Sequence, residues 1–130
     1  MRLLLDTHIL LWWMSGDRRL SKETAAMIAD SKNEIAVSSA TFWEIAIKKA
    51  LGRIDVDLEA LAAETFRAGF EELPVKVNHT LHLDTLPARH NDPFDRMLIA
   101  QAIAETRQLL TRDDAILAYA GIAGFAPLRA

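Results

Sequence analysis

Three aspartates stand where their carboxylates could do chemistry. Asp6 follows Leu3-Leu4-Leu5, Asp113 follows Leu109-Leu110-Thr111-Arg112, and Asp95 lies just before the apolar run Leu98-Ile99-Ala100. A short, wholly apolar run reads as a strand buried on both faces of a parallel sheet. In open parallel sheets, ligands bind beyond the carboxyl ends of the strands, so Asp6 and Asp113 are expected on one sheet edge. Asp95 shares a helical face with Leu98, Ile99 and Ala102. Its carboxylate therefore projects from a buried side, where it must be paired, protonated or bound to a metal; Arg96, the nearest cation in sequence, points elsewhere on the helix. Several carboxylates in one cleft repel one another unless a divalent cation neutralises them, and an all-oxygen set suits Mg2+ or Mn2+ rather than zinc. Such a cation lowers the pKa of a bound water and offsets the charge that builds on a phosphate during in-line attack. Phosphodiester hydrolysis is the chemistry to expect.

Each acidic position also has a structural reading. Asp92 before Pro93 is an N-cap with proline at the first helical position. Asp95 in a first turn favours the helix dipole. Glu44 and Lys48, four apart, form a solvent-exposed salt bridge in the favoured order, and Asp113 or Asp114 caps a short helix through Ile116 and Leu117. Asp6 has the weakest structural explanation. Of the four histidines, His79 and His82 share a helical face but lack a third ligand in fixed relation, which argues against zinc. His8 and His90 flank the acidic motifs and read as hydrogen-bonded structural residues more than as substrate contacts. Trp12, Trp13, Phe42 and Trp43 read as core or subunit-interface residues rather than base-stacking platforms.

The elements that must position these groups follow from periodicity and punctuation. Leu3 to Leu5 is a strand followed at once by helix. Ser21 caps a helix to about Ser31, and Ile35-Ala36-Val37 is a second strand. Ser39 opens a helix that runs to Leu51, with Gly52 as its terminating glycine. Asp57 caps an amphipathic helix closing near Gly69; Leu61 and Phe66 face inward, and Glu59, Glu64 and Arg67 outward. A strand over residues 73–77, a helix capped by Asn78 and a turn-rich loop at residues 87–91 lead to the helix at Asp92-Pro93. That helix is apolar nearly all round from Met97 to Ala104, which places it at the centre of the domain. Leu109-Leu110-Thr111 is a further strand. Strands alternating with helices predict an α/β fold, a three-layer α/β/α sandwich around a central parallel sheet, in a single domain over residues 1–130.

Composition narrows the partners. The 130-residue chain carries a net charge of −3, so no general field draws it to nucleic acid or to an anionic membrane, and any such contact must be local. Cysteine is absent, which removes thiolate zinc sites and cysteine nucleophiles and fits a reducing cytoplasm. The apolar stretch from Ile9 to Met14 is too short to span a bilayer or to act as a signal peptide, so a soluble, cytoplasmic protein is expected.

Taken together, these motifs resemble the PIN-domain ribonucleases, in particular the toxins of VapBC toxin–antitoxin pairs, nearly end to end. Leu3-Leu4-Leu5-Asp6-Thr7-His8 is similar to the family's opening strand and first acidic residue, and Trp43-Glu44-Ile45-Ala46-Ile47-Lys48 to the motif carrying the second. Asp92-Pro93-Phe94-Asp95-Arg96-Met97-Leu98-Ile99-Ala100-Gln101-Ala102 resembles the central helix with its metal-site aspartate, and Leu110-Thr111-Arg112-Asp113 the last motif. The resemblance implies a PIN-like fold and cleavage of RNA with Mg2+ or Mn2+ held by Asp6, Glu44, Asp95 and Asp113. It also implies restraint by a VapB-type antitoxin whose C-terminal segment blocks the site, and a homodimer. Asp92 and Asp114 are then outer members. Thr111 is a candidate to hydrogen-bond a ligand carboxylate, and Lys48, Arg96 and Arg112 to hold phosphate oxygens. Asn91, where relatives often carry a basic residue, and a C-terminal segment without tryptophan are departures.

Competing classes leave different marks. A haloacid-dehalogenase-like hydrolase with Asp6 as nucleophile usually carries a second aspartate two positions on, where this chain has His8. A Rossmann protein needs a glycine-rich loop after the first strand, which is missing. A PIN-like module without catalysis, binding only a partner, is the alternative from another class. The intact acidic positions argue against it.

Overall fold

In the computed structural model, which describes residues 1–130, the first apolar run is strand β1 (Arg2–Leu5), and only Asp6 separates it from helix α1 (Thr7–Ser15). Helix α2 (Lys22–Ala29), β2 (Glu34–Ser38), α3 (Ser39–Ala50), α4 (Leu58–Arg67), β3 (Glu71–Leu73), α5 (Val77–Thr85), α6 (Pro93–Glu105), β4 (Gln108–Thr111), α7 (Asp114–Leu117) and β5 (Leu128–Arg129) follow. All pairings are parallel, in the order β3-β2-β1-β4-β5. The chain moves outward from β1 through β2 to β3, then returns to the other side of β1 for β4. Such a reversal opens a crevice at the carboxyl ends of the two strands that flank it. Here these are β1 and β4, with Leu5 opposite Leu110 and the Asp6 N–H donating to the Leu110 carbonyl at 3.1 Å.

Alternation along the strands divides the core into two layers. Leu4, Ala36, Leu73 and Leu109 face Leu98, Ile99, Ala102, Ile116, Tyr119 and Phe125. Leu3, Leu5, Ile35, Val37 and Leu110 face Ile9, Leu10, Ile28 and Phe70. Leu3, Leu4 and Leu5 are all fully buried, as a strand covered by helices on both sides requires. Each contributes on the order of 2 kcal/mol by leaving water. The expected three-layer α/β/α sandwich is the observed architecture, and residues Leu98 to Ala102 of α6 are buried without a break. No helix is long and apolar enough to cross a membrane.

Several boundaries differ from expectation. The strand expected over residues 73–77 is Glu71–Leu73, paired with Ala36 to Ser38; Pro74, which has no N–H, ends the ladder. Helix α5 is capped at Lys76 rather than Asn78, because the Lys76 N–H donates to Nδ1 of the buried His79 at 3.0 Å. His79 is thus committed to the frame, with its Nε2 2.9 Å from Glu105. Helix α3 opens at Ser39 as expected; the hydroxyl of Ser38 caps it, and Ser39 accepts from the Val75 N–H. Gly52 does take the left-handed conformation (φ +70°) just beyond the end of α3.

The loop between α5 and α6 is pinned by one side chain. The Tyr119 hydroxyl, fully buried, accepts from the Arg89 and His90 N–H groups at 3.0 and 2.9 Å and donates to the Pro87 carbonyl at 2.7 Å. Arg96 adds donors to the Pro87 and Leu86 carbonyls. Replacing Tyr119 by Phe leaves two loop amides without this acceptor, so chemical denaturation should show a loss of about 1–3 kcal/mol. Amide exchange at Arg89 and His90 should quicken. Wild-type stability and exchange in Tyr119→Phe would contradict this role for the hydroxyl.

Candidate metal centre

Asp6 leaves the end of β1 as the N-terminal flanking residue of α1, and it is buried. Thr111, the last residue of β4, donates its hydroxyl to Asp6 Oδ2 at 2.7 Å and accepts from the Asp113 N–H at 3.0 Å. One hydroxyl therefore ties together the two strand-end aspartates. Asp113 caps α7 through Oδ1, which accepts from the Ala115 N–H at 2.8 Å, and turns Oδ2 toward His90.

Glu44, on α3, is buried beside them. Its Oε1 accepts from the Thr7 hydroxyl at 2.7 Å and its Oε2 from Lys48 Nζ at 2.6 Å. The structural alternative for Glu44, a solvent-exposed pair with Lys48, is met only in part: the pair forms, but only the lysine reaches water, because Glu44 sits on the face that α3 turns to α1. Asp95, in the first turn of α6, is 9% exposed and lies 2.8 Å from His90 Nε2 through its Oδ2. Asp92 caps α6 through the Phe94 and Asp95 N–H groups, as its proline-linked position suggested, and its charge bears on Asp95.

The electrostatics are those of crowded, partly dehydrated carboxyl groups. Burial raises the Asp95 pKa to about 7, the charges of Asp6, Asp92 and Glu44 push it the same way, and the His90 contact only partly offsets them. Asp6 is also raised by burial, against the Thr111 hydrogen bond, the nearby His8 and the Thr7 backbone, with Glu44 adding to the rise. Asp95 Oδ1 and Asp113 Oδ2 are left without a hydrogen-bond partner in the protein. Hard oxygen donors that repel one another, with free lone pairs, fit a divalent cation.

The other expected members fall in different places. Asp114 is exposed and paired with Arg129, outside the cluster. The Arg96 guanidinium is spent on the loop carbonyls and Tyr119, not held open for a phosphate. Arg112 is exposed beside Asp113; it donates to the Arg19 carbonyl, and both guanidinium groups lie over the Trp12 ring, at 5.6 and 4.9 Å. Thr7 joins the cluster without having been singled out for it, and His90, read as a hydrogen-bonded residue flanking the acidic motifs, joins it through Asp95. The adjacency of Thr7 to Asp6 was the only local signal for the first, and the side chain of His90 reaches the site only through the Tyr119-pinned loop.

A carboxyl pKa raised on folding means that the unfolded chain ionises first, so stability falls as pH rises between the two values. With chelator present, the melting temperature should therefore drop from roughly pH 4 to roughly pH 7. The drop should be smaller in Asp95→Asn, with the remainder coming from Asp6. Thermal denaturation across this range checks it, and parallel profiles for the two proteins would contradict the assignment.

Comparison with known proteins agrees with this geometry. The family model described as PIN domain matches residues 3–122. Ribonuclease VapC22 of Mycobacterium tuberculosis is 27% identical over 112 residues, 85% of each chain. Among solved structures, VapBC2 from Rickettsia felis, bound to a DNA fragment from its promoter, superposes with a TM-score of 0.71 at 18% identity, covering 99% of this chain and 98% of that one. VapBC-1 from nontypeable Haemophilus influenzae gives 0.70 at 21%, with the same coverage. VapBC-5 from Mycobacterium tuberculosis gives 0.68 at 20%, again covering 99% and 98%. With a family model spanning nearly its whole length and an acidic crevice at the reversal of its parallel sheet, the chain belongs to the PIN domain family.

Proposed function

We propose that this chain, as one PIN domain over residues 1–130, is a divalent-metal-dependent endoribonuclease and the toxin of a type II toxin–antitoxin module. The observation that carries the reading is the nearness of buried Asp6, Glu44 and Asp95 to one another and of half-exposed Asp113 to the same end of the sheet, with Asp95 Oδ1 and Asp113 Oδ2 free of hydrogen-bond partners in the protein. The relative named a ribonuclease and the neighbours named VapBC support it. Asp6, Glu44, Asp95 and Asp113 hold Mg2+ or Mn2+, which when bound activates water and offsets negative charge on the scissile phosphate. Thr111 and Thr7 orient Asp6 and Glu44. Lys48, a third exposed beside Glu44, and the exposed Arg112 are the candidates to hold phosphate oxygens. Asp92 fixes the first turn of α6 and so the direction of Asp95.

A groove of about 700 Å³ between α1, α3 and α4 opens beside Thr7 and Lys48, with Leu11, Trp12, Ile45 and Leu61 along it. It suits an apolar segment of a VapB-type antitoxin that ends over the acidic cluster. Trp43, 63% exposed and edge-on to Phe94, continues through Ile47 and Leu51 as an apolar stripe on α3, a face for a second copy in a homodimer.

Purified protein should cut single-stranded or looped RNA with Mg2+ or Mn2+ and fail to do so with chelator. Asp6→Asn should lower the rate by on the order of a hundredfold or more, the loss typical when transition-state charge stabilisation is removed. Absence of cleavage across a broad RNA panel, together with absence of metal-induced thermal stabilisation, would sink the nuclease reading.

A further inference from the structure

Residues that resemble a family's acidic motifs predict a metal site built of oxygen alone. The structure adds a nitrogen. His90 Nε2 lies 2.8 Å from Asp95 Oδ2 and 3.9 Å from Asp113 Oδ2, and one ligand atom from each of the three residues lies within 4.8 Å of the other two. Ligands about 2.1 Å from an octahedral ion, at right angles to one another, stand about 3 Å apart. The His90–Asp95 pair already has that spacing, and Asp113, its side chain 41% exposed, has room to turn inward.

The imidazole is delivered there by construction. The His90 N–H donates to the buried Tyr119 hydroxyl, the neighbouring Arg89 N–H does the same, and Arg96 and Tyr119 both bind the Pro87 carbonyl. This arrangement spends a tyrosine and an arginine on holding a few loop residues. Its effect at the cluster is to fix Nε2 toward two carboxylates.

Resting on the metal-site reading above, we infer that His90 Nε2 is a direct ligand of the bound cation together with Asp95 and Asp113, which gives a mixed nitrogen–oxygen set that prefers Mn2+ to Mg2+. Imidazole is a good ligand for transition metals, whereas Mg2+ favours oxygen and gives up water reluctantly. The other role open to His90, a hydrogen bond that orients Asp95, would leave the donor set all-oxygen and the preference unmade.

Affinity alone does not separate the two roles, because losing an outer-shell partner also weakens metal binding by roughly 10–100-fold. Pulsed electron paramagnetic resonance of the full chain loaded with Mn2+ does separate them, since a directly bound imidazole imprints a nitrogen coupling on the manganese signal. That coupling is expected in the wild type, retained in His8→Gln and lost in His90→Gln. Calorimetric titration with each metal alone should show His90→Gln losing more affinity for Mn2+ than for Mg2+. Bound manganese without nitrogen coupling, or coupling that survives in His90→Gln, overturns the inference and leaves the nuclease reading standing. If Mn2+ does not bind the folded wild-type chain, the metal-site reading falls and the inference falls with it.

Discussion

Like charges forced together away from water are the constraint around which this molecule is arranged. The order in which the chain adds strands reverses beside β1, so the carboxyl ends of the parallel β1 and β4 lie side by side, and each is followed at once or after one residue by an aspartate. Helices α3 and α6 bring Glu44 and Asp95 to the same place. Burial of even one unpaired carboxylate costs several kcal/mol, and the protein offsets only part of that. Two threonine hydroxyls and one lysine meet Asp6 and Glu44, and one histidine meets Asp95. The remainder appears as raised carboxyl pKa values, upward for Asp6 and to about 7 for Asp95. A divalent cation bound there would remove that penalty and would supply the charge that the proposed phosphodiester cleavage needs.

The rest of the fold makes the crowding sustainable. Two apolar layers grip the central strands from both sides, so the strand ends cannot splay to relieve repulsion. Helix α6 is buried along its middle and carries Asp95 at its start and the capping Asp92 just before it, so a rigid core element sets the direction of a charged side chain. Tyr119 belongs to the same core layer as Leu98 and Ile99, yet its hydroxyl holds the loop bearing His90. Packing and site geometry are linked through that one residue.

Much of this was legible in the sequence because it rests on short-range patterns. An apolar triplet ending at Asp6, the Asp92-Pro93 cap and the uninterrupted apolar stretch of α6 each report their structure locally, and the resemblance to a known family joined them into one site. What was not legible depends on contacts between distant segments. The hydroxyl of Tyr119 meets residues about thirty positions away, and nothing around Tyr119 or His90 signals that meeting. Arg96 was a candidate for phosphate by its place beside Asp95; its partners are loop carbonyls that only the fold brings near. The start of α5 moved to Lys76 because the buried His79 accepts that residue's N–H, a preference stronger than the intrinsic capping tendency of Asn78. Lys48 was paired with Glu44 as expected, but the burial of the glutamate, which makes the pair part of the acidic cluster, comes from the docking of α3 against α1.

Proton release on metal binding tests the central constraint most directly. Calorimetric titration of Mn2+ into the protein, repeated in buffers of different ionisation enthalpy, counts the protons displaced per ion. If the carboxyl groups hold protons because the cluster is crowded and dry, release should be clear near pH 6 and should fade by about pH 8, above the Asp95 value of about 7. Binding with no proton release at any pH would mean that the cluster is already fully ionised in the folded protein, and would contradict the account of a site strained by its own charge.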